Sequence, residues 1–497
     1  MHLSLLPPHK VTALRLGKTL IVLLAASAFF RLLNDHALLW PTATYTYHPG
    51  ERGRVISPAQ PTSLVKTADA NIVWKLTRDA FPFTVVTPYA LKDIRIRATL
   101  HLGTQSTVYM TAQGQAGGTL STLVRSRYLD TLEWPHVTDG TTTVWMRPPT
   151  ASHAVSAYRS VADFRAAPPS PHTIGVVGLD RLAYASIRDY QPETTTQAFG
   201  HTFRGTHELY VYAANETLHL TFDKADLNRE VGADQALVRV ARADTMTSAG
   251  TTWLKTVRVS DDGNTTGNGK PGVSQPVVVE IPKAAPGVYH VEIITTGDVL
   301  LKHLQTRQRY SAFTGTVVLA EGPTYGTPFT PTTIMTEGQR VGLAPVHEQA
   351  KQTVTVAGKN LKLTQVKVEQ EVKNLKGVTT VTIPKDDVTV TGDGLLVFDG
   401  FRLLPDTARA LDINVTPNTA GIDYIVARYT LHSGDVVHVD QTYPFDELRL
   451  QGKSAQFSLI APGVQSGGTI GLTNLRATLH RGAFPWAKIS EKVKSLF

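Results

Sequence analysis

Beyond residue 50, apolar and polar side chains take turns one by one. Ile94, Ile96, Ala98, Leu100 and Leu102 alternate with Arg95, Arg97, Thr99 and His101, and Leu218, Leu220 and Phe222 alternate with His219 and Thr221. Tyr289, Val291 and Ile293 do the same with His290 and Glu292, and the spacing recurs at Val354 and Val356, Val366 and Val368, and Val381 and Ile383. Successive side chains of an extended chain point to opposite faces, so this pattern predicts strands with one face buried and the other in water. Turn sequences such as Asp261-Asp262-Gly263-Asn264 and Gly392-Asp393-Gly394 punctuate them. Convincing long amphipathic helices are missing away from the termini. The reading is therefore all-β, as tandem antiparallel β-sandwich domains of jelly-roll or Ig-like type after an N-terminal transmembrane helix.

A chain of 497 residues exceeds what one hydrophobic core usually supports. Pro168-Pro169-Ser170-Pro171 and the segment from Ala198 to Gly205 separate a first block from a second, and Gly322 to Pro331 reads as a linker into a third. The expected organisation is residues 1–45 as a cytoplasmic tip with the anchor or signal, β-sandwich domains at 46–197, 198–325 and 332–484, and a short amphipathic helix at 485–497. That helix places Trp486, Ile489, Val493 and Leu496 on one side, for packing or for docking on a partner or membrane. The run Arg97-Ala98-Thr99-Leu100-His101 returns as Arg476-Ala477-Thr478-Leu479-His480, a hint of repeated modules.

Thr19 to Phe30 is nearly all apolar, preceded by Lys10, Arg15 and Lys18 and with no acidic residue before Asp35. This is the charge order of an export signal, with the basic end retained inside. It reads as an uncleaved single-pass anchor, because apolar residues resume at Phe29, Phe30, Leu32 and Leu33; a cleaved signal ending at Ala26-Ser27-Ala28 is the alternative. The bulk of the chain then lies outside the cytoplasm.

There is no cysteine, which removes disulfides, thiolate nucleophiles and Cys-ligated metals. Part of the net charge of +8 belongs to the N-terminal segment, and the 45 basic and 40 acidic residues that follow form no Lys/Arg run with interleaved aromatics. Nucleic acid is therefore not the expected partner. The metalloprotease, nucleophile-elbow, dinucleotide-fold and kinase signatures are absent, and the glycine-rich run from Gly263 to Pro271 departs from a phosphate loop in spacing and in its last residue.

Two candidate sites stand out. Asp261, Asp262 and Asn264 offer oxygen ligands at a tight turn, in the order of a calcium loop, but the twelfth position counted from Asp262 is Val273 and not a carboxylate. Any Ca²⁺ there would need acids from elsewhere, with Asp223, Asp226 and Asp234 nearby in sequence; otherwise no cofactor is expected. Trp134, Trp145, Trp253, Tyr109 and Tyr128 are the aromatics available for stacking sugar rings, the usual mode of carbohydrate binding by sandwiches.

The middle block resembles the bacterial pre-peptidase C-terminal β-sandwich, with its apolar strand from Leu218 to Phe222, a long insertion, and the turn and strand at Pro286-Gly287-Val288-Tyr289. The last block, with Phe457 to Pro462 followed by Ile470 to Leu479, is similar to the final strands of galactose-binding-like jelly rolls. These resemblances imply a binding role in a surface protein: adhesion to polysaccharide or to another protein. An envelope glycan hydrolase whose carboxylates meet only in the fold, and a structural subunit of a surface layer or membrane complex, are the alternatives.

Overall fold

The computed structural model describes residues 42–47, 55–58, 63–66, 72–87, 91–103, 107–115, 119–246, 251–404, 407–465, 467 and 469–482, together with Leu24 and Ser27. The protein is all-β. Apart from Leu24 and Ser27, which are helical, the α-helices among the described residues are two short ones, Arg127–Asp130 and Val161–Ala166. Each starts at a serine hydroxyl that accepts from an N–H three residues on, Ser126 from Leu129 at 3.2 Å and Ser160 from Asp163 at 3.0 Å. No helix among the described residues is long and apolar enough to cross a membrane. The expected anchor at Thr19 to Phe30, apart from Leu24 and Ser27, and the expected helix at 485–497 lie outside the described residues.

The chain forms two compact units, one of residues 1–131 and 431–497 with 248–250, the other of 132–247 and 251–430. In the first, one sheet runs in the order Ser63–Lys66, Ile72–Lys75, Gly471–Arg481, Leu91–His101 and Val436–Pro444, and Thr42–Tyr47 also pairs with Gly471–Arg481. A second sheet runs Ile56–Pro58, Ala80–Val86, Ser454–Ile460, Thr107–Gln113 and Thr119–Ser126, with Leu450–Gln451 beside Ser454–Ile460. Their inner faces share one core, in which Ile94, Ile96, Leu100 and Leu475 meet Phe83, Met110 and Phe457. Phe457 stacks on Phe83 at 5.6 Å and meets Tyr443 at 5.3 Å. Burying each such side chain stabilises the unit by about 1.5–3 kcal/mol.

Among its described residues the second unit holds four sheets. The largest has ten strands, in the order Lys255–Val259, Ala236–Arg242, Gly287–Ile294, His207–Ala213, Ser311–Thr314, Leu396–Phe398, Thr332–Thr336, Thr379–Ile383, Gln352–Val356 and Lys359–Leu363. Glu216–Asp226 lies in a five-stranded sheet between Val299–Thr306 and Gln275–Ala284. A four-stranded sheet contains Val341–Pro345 and Val388–Gly392. The remaining sheet is mixed, because Ile174–Val177 runs parallel to both Arg409–Ala410 and Tyr424–Arg428, a departure from the all-antiparallel expectation.

The units do not follow the three consecutive blocks. The Phe313↔Leu396 pairing and a core containing Phe203, Phe313 and Phe398 join residues 198–325 to the following block in one sheet, while the end of the chain pairs with its beginning. Ala198 to Gly205 is no linker: it carries Phe199 and Phe203 into that core. Gly322 to Pro331 is a turn inside the second unit, closed by the N–H of Thr327 donating to the Gly322 carbonyl at 3.2 Å. Val366 and Val368 form no strand. Lys367 between them takes φ of +60°, and Val368 is exposed. The repeated pentapeptide marks two neighbouring strands and not two modules, since Arg97 stands directly opposite Arg476 in one sheet.

Candidate functional site

The acidic turn is built on the Glu216–Asp226 strand. Leu218, Leu220 and Phe222 face inward, and the same parity carries Lys224 and Asp226 inward as well, so a fully buried ammonium sits beside a buried carboxylate. Lys224 Nζ lies 2.7 Å from Asp226 Oδ1 and donates to Asp226 Oδ2 at 2.8 Å, to Gln275 Oε1 at 3.0 Å and to the Ser260 carbonyl at 3.2 Å. Carboxylate oxygens of Asp226, Asp261 and Asp262 come within 4.8 Å of one another.

Backbone N–H groups engage the other acidic oxygens. Asp261 accepts from Gly263 and Asp234, and Asp262 accepts from Asn264 and from the Asn228 side chain at 2.9 Å. Asn264 does not join the cluster; its Oδ1 accepts from the Thr266 hydroxyl at 2.7 Å, as a turn-forming asparagine does. Asp223 pairs with His303 and Asp234 with Thr296. Burial pushes the Asp226 carboxyl up, with Lys224 pulling it back, while the Asn228 hydrogen bond holds Asp262 below the usual carboxylate range. Opposed shifts would suit an acid and a base, but Asp226 is 1 % exposed and locked to Lys224, beyond reach of a substrate. Lys224 supplies the counter-charge to Asp226, while backbone N–H groups and the Asn228 amide hold Asp261 and Asp262 in the loop. The signal in the sequence was the inward parity of Lys224 and Asp226.

The aromatic candidates are divided between the two units. Trp145 is fully buried in the mixed sheet and is a core residue, which corrects its assignment to ligand stacking. Trp134 and Trp253 are half-buried, each with a ring face covered by a guanidinium: Arg147 at 4.8 Å and Arg239 at 4.3 Å. Tyr109, on Thr107–Gln113, and Tyr128, in the Arg127–Asp130 helix, are half-buried in the other unit.

His201, Asp386 and Thr332 meet as the residues of a nucleophilic triad would, but not in its geometry. The Thr332 hydroxyl donates to Asp386 at 2.6 Å and lies 3.2 and 3.1 Å from the two ring nitrogens of His201, off the lone-pair axis of either. Asp386 is fully buried and Thr332 nearly so, leaving no access for a substrate.

The open face of the first unit is different in character. There the central strand Leu91–His101 presents Arg95, Arg97 and Thr99 between Val436–Pro444 and Gly471–Arg481. Arg95 forms a two-pronged pair with Asp440, both contacts at 2.5 Å, and that bond holds the Asp440 carboxyl below its usual range. Arg97 reaches Asp440 only at 3.4 Å, and on its other side it faces Arg476 directly. Thr99 is hydrogen-bonded to His438 at 3.2 Å.

A bulge between Thr473 and Arg476, with Asn474 at φ of +52°, puts two residues on the open side between buried Leu472 and Leu475. The result is a groove of about 240 Å³ lined by Arg97, Thr99, His438, Asp440, Asn474 and Arg476, with Ala98 and Val439 at its floor. None of these was singled out as a site from sequence. The repeated pentapeptide contained both arginines, but only pairing sets them side by side.

No family model matches the chain, and no curated protein matches it. Solved structures that align with it include viral proteins. T=1 particles derived from infectious bursal virus share 12% identity over 91% of this chain and 83% of that chain, with a TM-score of 0.15. An archaeal virus protein described by a triple jelly-roll fold and turret assembly shares 7% identity over 75% and 97%, with a TM-score of 0.17. The infectious bursal disease virus T13 particle shares 11% over 89% and 80%, also at 0.17. Likeness at these TM-scores carries no argument about this protein.

Proposed function

We propose that the chain is a binding protein of the cell surface, held in the membrane by its N-terminal segment, whose jelly-roll-like sandwich modules present a face to polysaccharide or to another surface protein. The observation that carries this reading is the groove on the open face of the Leu91–His101 sheet, where guanidinium, hydroxyl, imidazole and amide groups converge on about 240 Å³ of solvent-reachable space. Asp226 of the acidic turn and Asp386 of the triad-like cluster are buried away from substrate, which favours binding over hydrolysis. On a glycan array the full-length protein is expected to be retained by at least one class of surface polysaccharide, and to release no reducing sugar from it. Retention by no sugar and by no surface protein overturns the reading. Carbonate washing of membranes tests the anchor: the protein is expected to stay in the pellet, and its release would count against a spanning segment.

A further inference from the structure

We propose that the groove binds an anionic sugar residue, a uronate carboxylate or a sugar sulfate, gripped between Arg97 and Arg476. This rests on the binding role above and names its ligand class.

Charge balance is the starting point. Like charges directly opposite on neighbouring strands repel, yet Arg97 and Arg476 occupy such a pair on an exposed face. The one acid lining the groove, Asp440, is already committed to Arg95 through both carboxylate oxygens and touches Arg97 only at 3.4 Å. Arg95 and Arg97 both draw on Asp440 and Arg476 on no acid among the described residues, so the surplus lies between Arg97 and Arg476. A planar carboxylate or a sulfate placed there accepts from both forks.

The remaining lining selects the rest of the ligand. Asn474, pushed outward by the bulge, adds an amide beside Arg476, and the Thr99 hydroxyl and His438 imidazole add donors and acceptors along the other wall. This set suits the hydroxyls that surround the acid group of a sugar. No Phe, Tyr or Trp ring lines the groove, so it lacks the broad apolar platform on which a nucleic-acid base stacks best. The basic excess of the whole chain is small, so attraction is local to this face.

Titration calorimetry of the full-length protein tests the proposal, with a galacturonate hexasaccharide, a chondroitin-type sulfated hexasaccharide and a neutral cello-oligosaccharide as probes. At least one acidic probe is expected to bind, with affinity falling as salt rises, and the neutral probe is not. The uronate and sulfate arms show which group the groove prefers. Arg97→Gln and Arg476→Gln are each expected to weaken binding by at least about tenfold. Arg258→Gln, on the exposed Lys255–Val259 strand, is expected to leave it unchanged, and circular dichroism checks that each variant is folded. Equal binding of neutral and acidic probes, or full affinity in folded Arg476→Gln, overturns the anionic assignment while the binding role stands. Duplex DNA binding as tightly as the uronate overturns the assignment to sugar. Loss of all glycan and protein binding on the array removes the underlying role itself.

Discussion

The imidazole of His207 packs edge-on against Phe203 at 5.6 Å and Phe313 at 5.8 Å, and burial lowers its pKa to about 4, the Arg204 and Thr316 backbones offsetting part of the effect. The folded protein thus holds a proton less tightly than the unfolded chain, where the value is near 6.5. This contribution to stability is complete above that unfolded value and is lost as pH falls toward the folded one. Between pH 7 and 5 the loss amounts to roughly 2 kcal/mol. Urea denaturation of the wild type and of His207→Leu at the two pH values checks it: the wild type is expected to lose more stability on acidification by about that amount, and equal losses would refute the assignment. The inward position of His207 was legible, since it shares parity with Leu209 and Val211 on its strand. Its depressed pKa was not, because that depends on rings of Phe203 and Phe313 brought in from other strands.

At the scale of the strand, Gly471–Arg481 is central to the first unit, bonded to Leu91–His101 on one side and to Ile72–Lys75 and Thr42–Tyr47 on the other. Its bulge keeps Leu475, Ala477 and Leu479 pointing into the core after Leu472; if the same residues paired regularly, all three would face solvent. Asn474 takes the left-handed conformation that this requires, which asparagine tolerates and branched residues resist. Asn474→Gly is expected to leave stability within about 0.5 kcal/mol, and Asn474→Val to cost about 1–3 kcal/mol, both read from the denaturant midpoint of the first unit. Equal stability of the two variants would mean that the bulge does not set the register. The irregular spacing of Leu472 and Leu475 is written in the sequence, whereas Val366 and Val368 show the opposite case, with regular spacing around a left-handed turn at Lys367 and no partner strand.

For the whole molecule, the second unit begins and ends inside the first, so that the strands after residue 430 return to the sheets started before residue 131. All four sheets of residues 132–430 pair within that span, around cores of their own. A protein comprising residues 132–430 is expected to fold alone and to unfold in a cooperative thermal transition followed by circular dichroism; a fragment without a transition would show that its cores depend on the rest of the chain. The sequence by itself determined the all-β class and, strand by strand, which side chains face inward, because the pleat is a local property in which neighbours alternate. It did not determine the units, the shared ten-stranded sheet or the arginine groove. Those rest on partners such as Thr42 with His480 and Arg97 with Arg476, which are hundreds of residues apart. Alternation makes every half-buried strand an acceptable neighbour for every other. Only the packing of both cores decides which ones meet, and with them which charges end up facing each other.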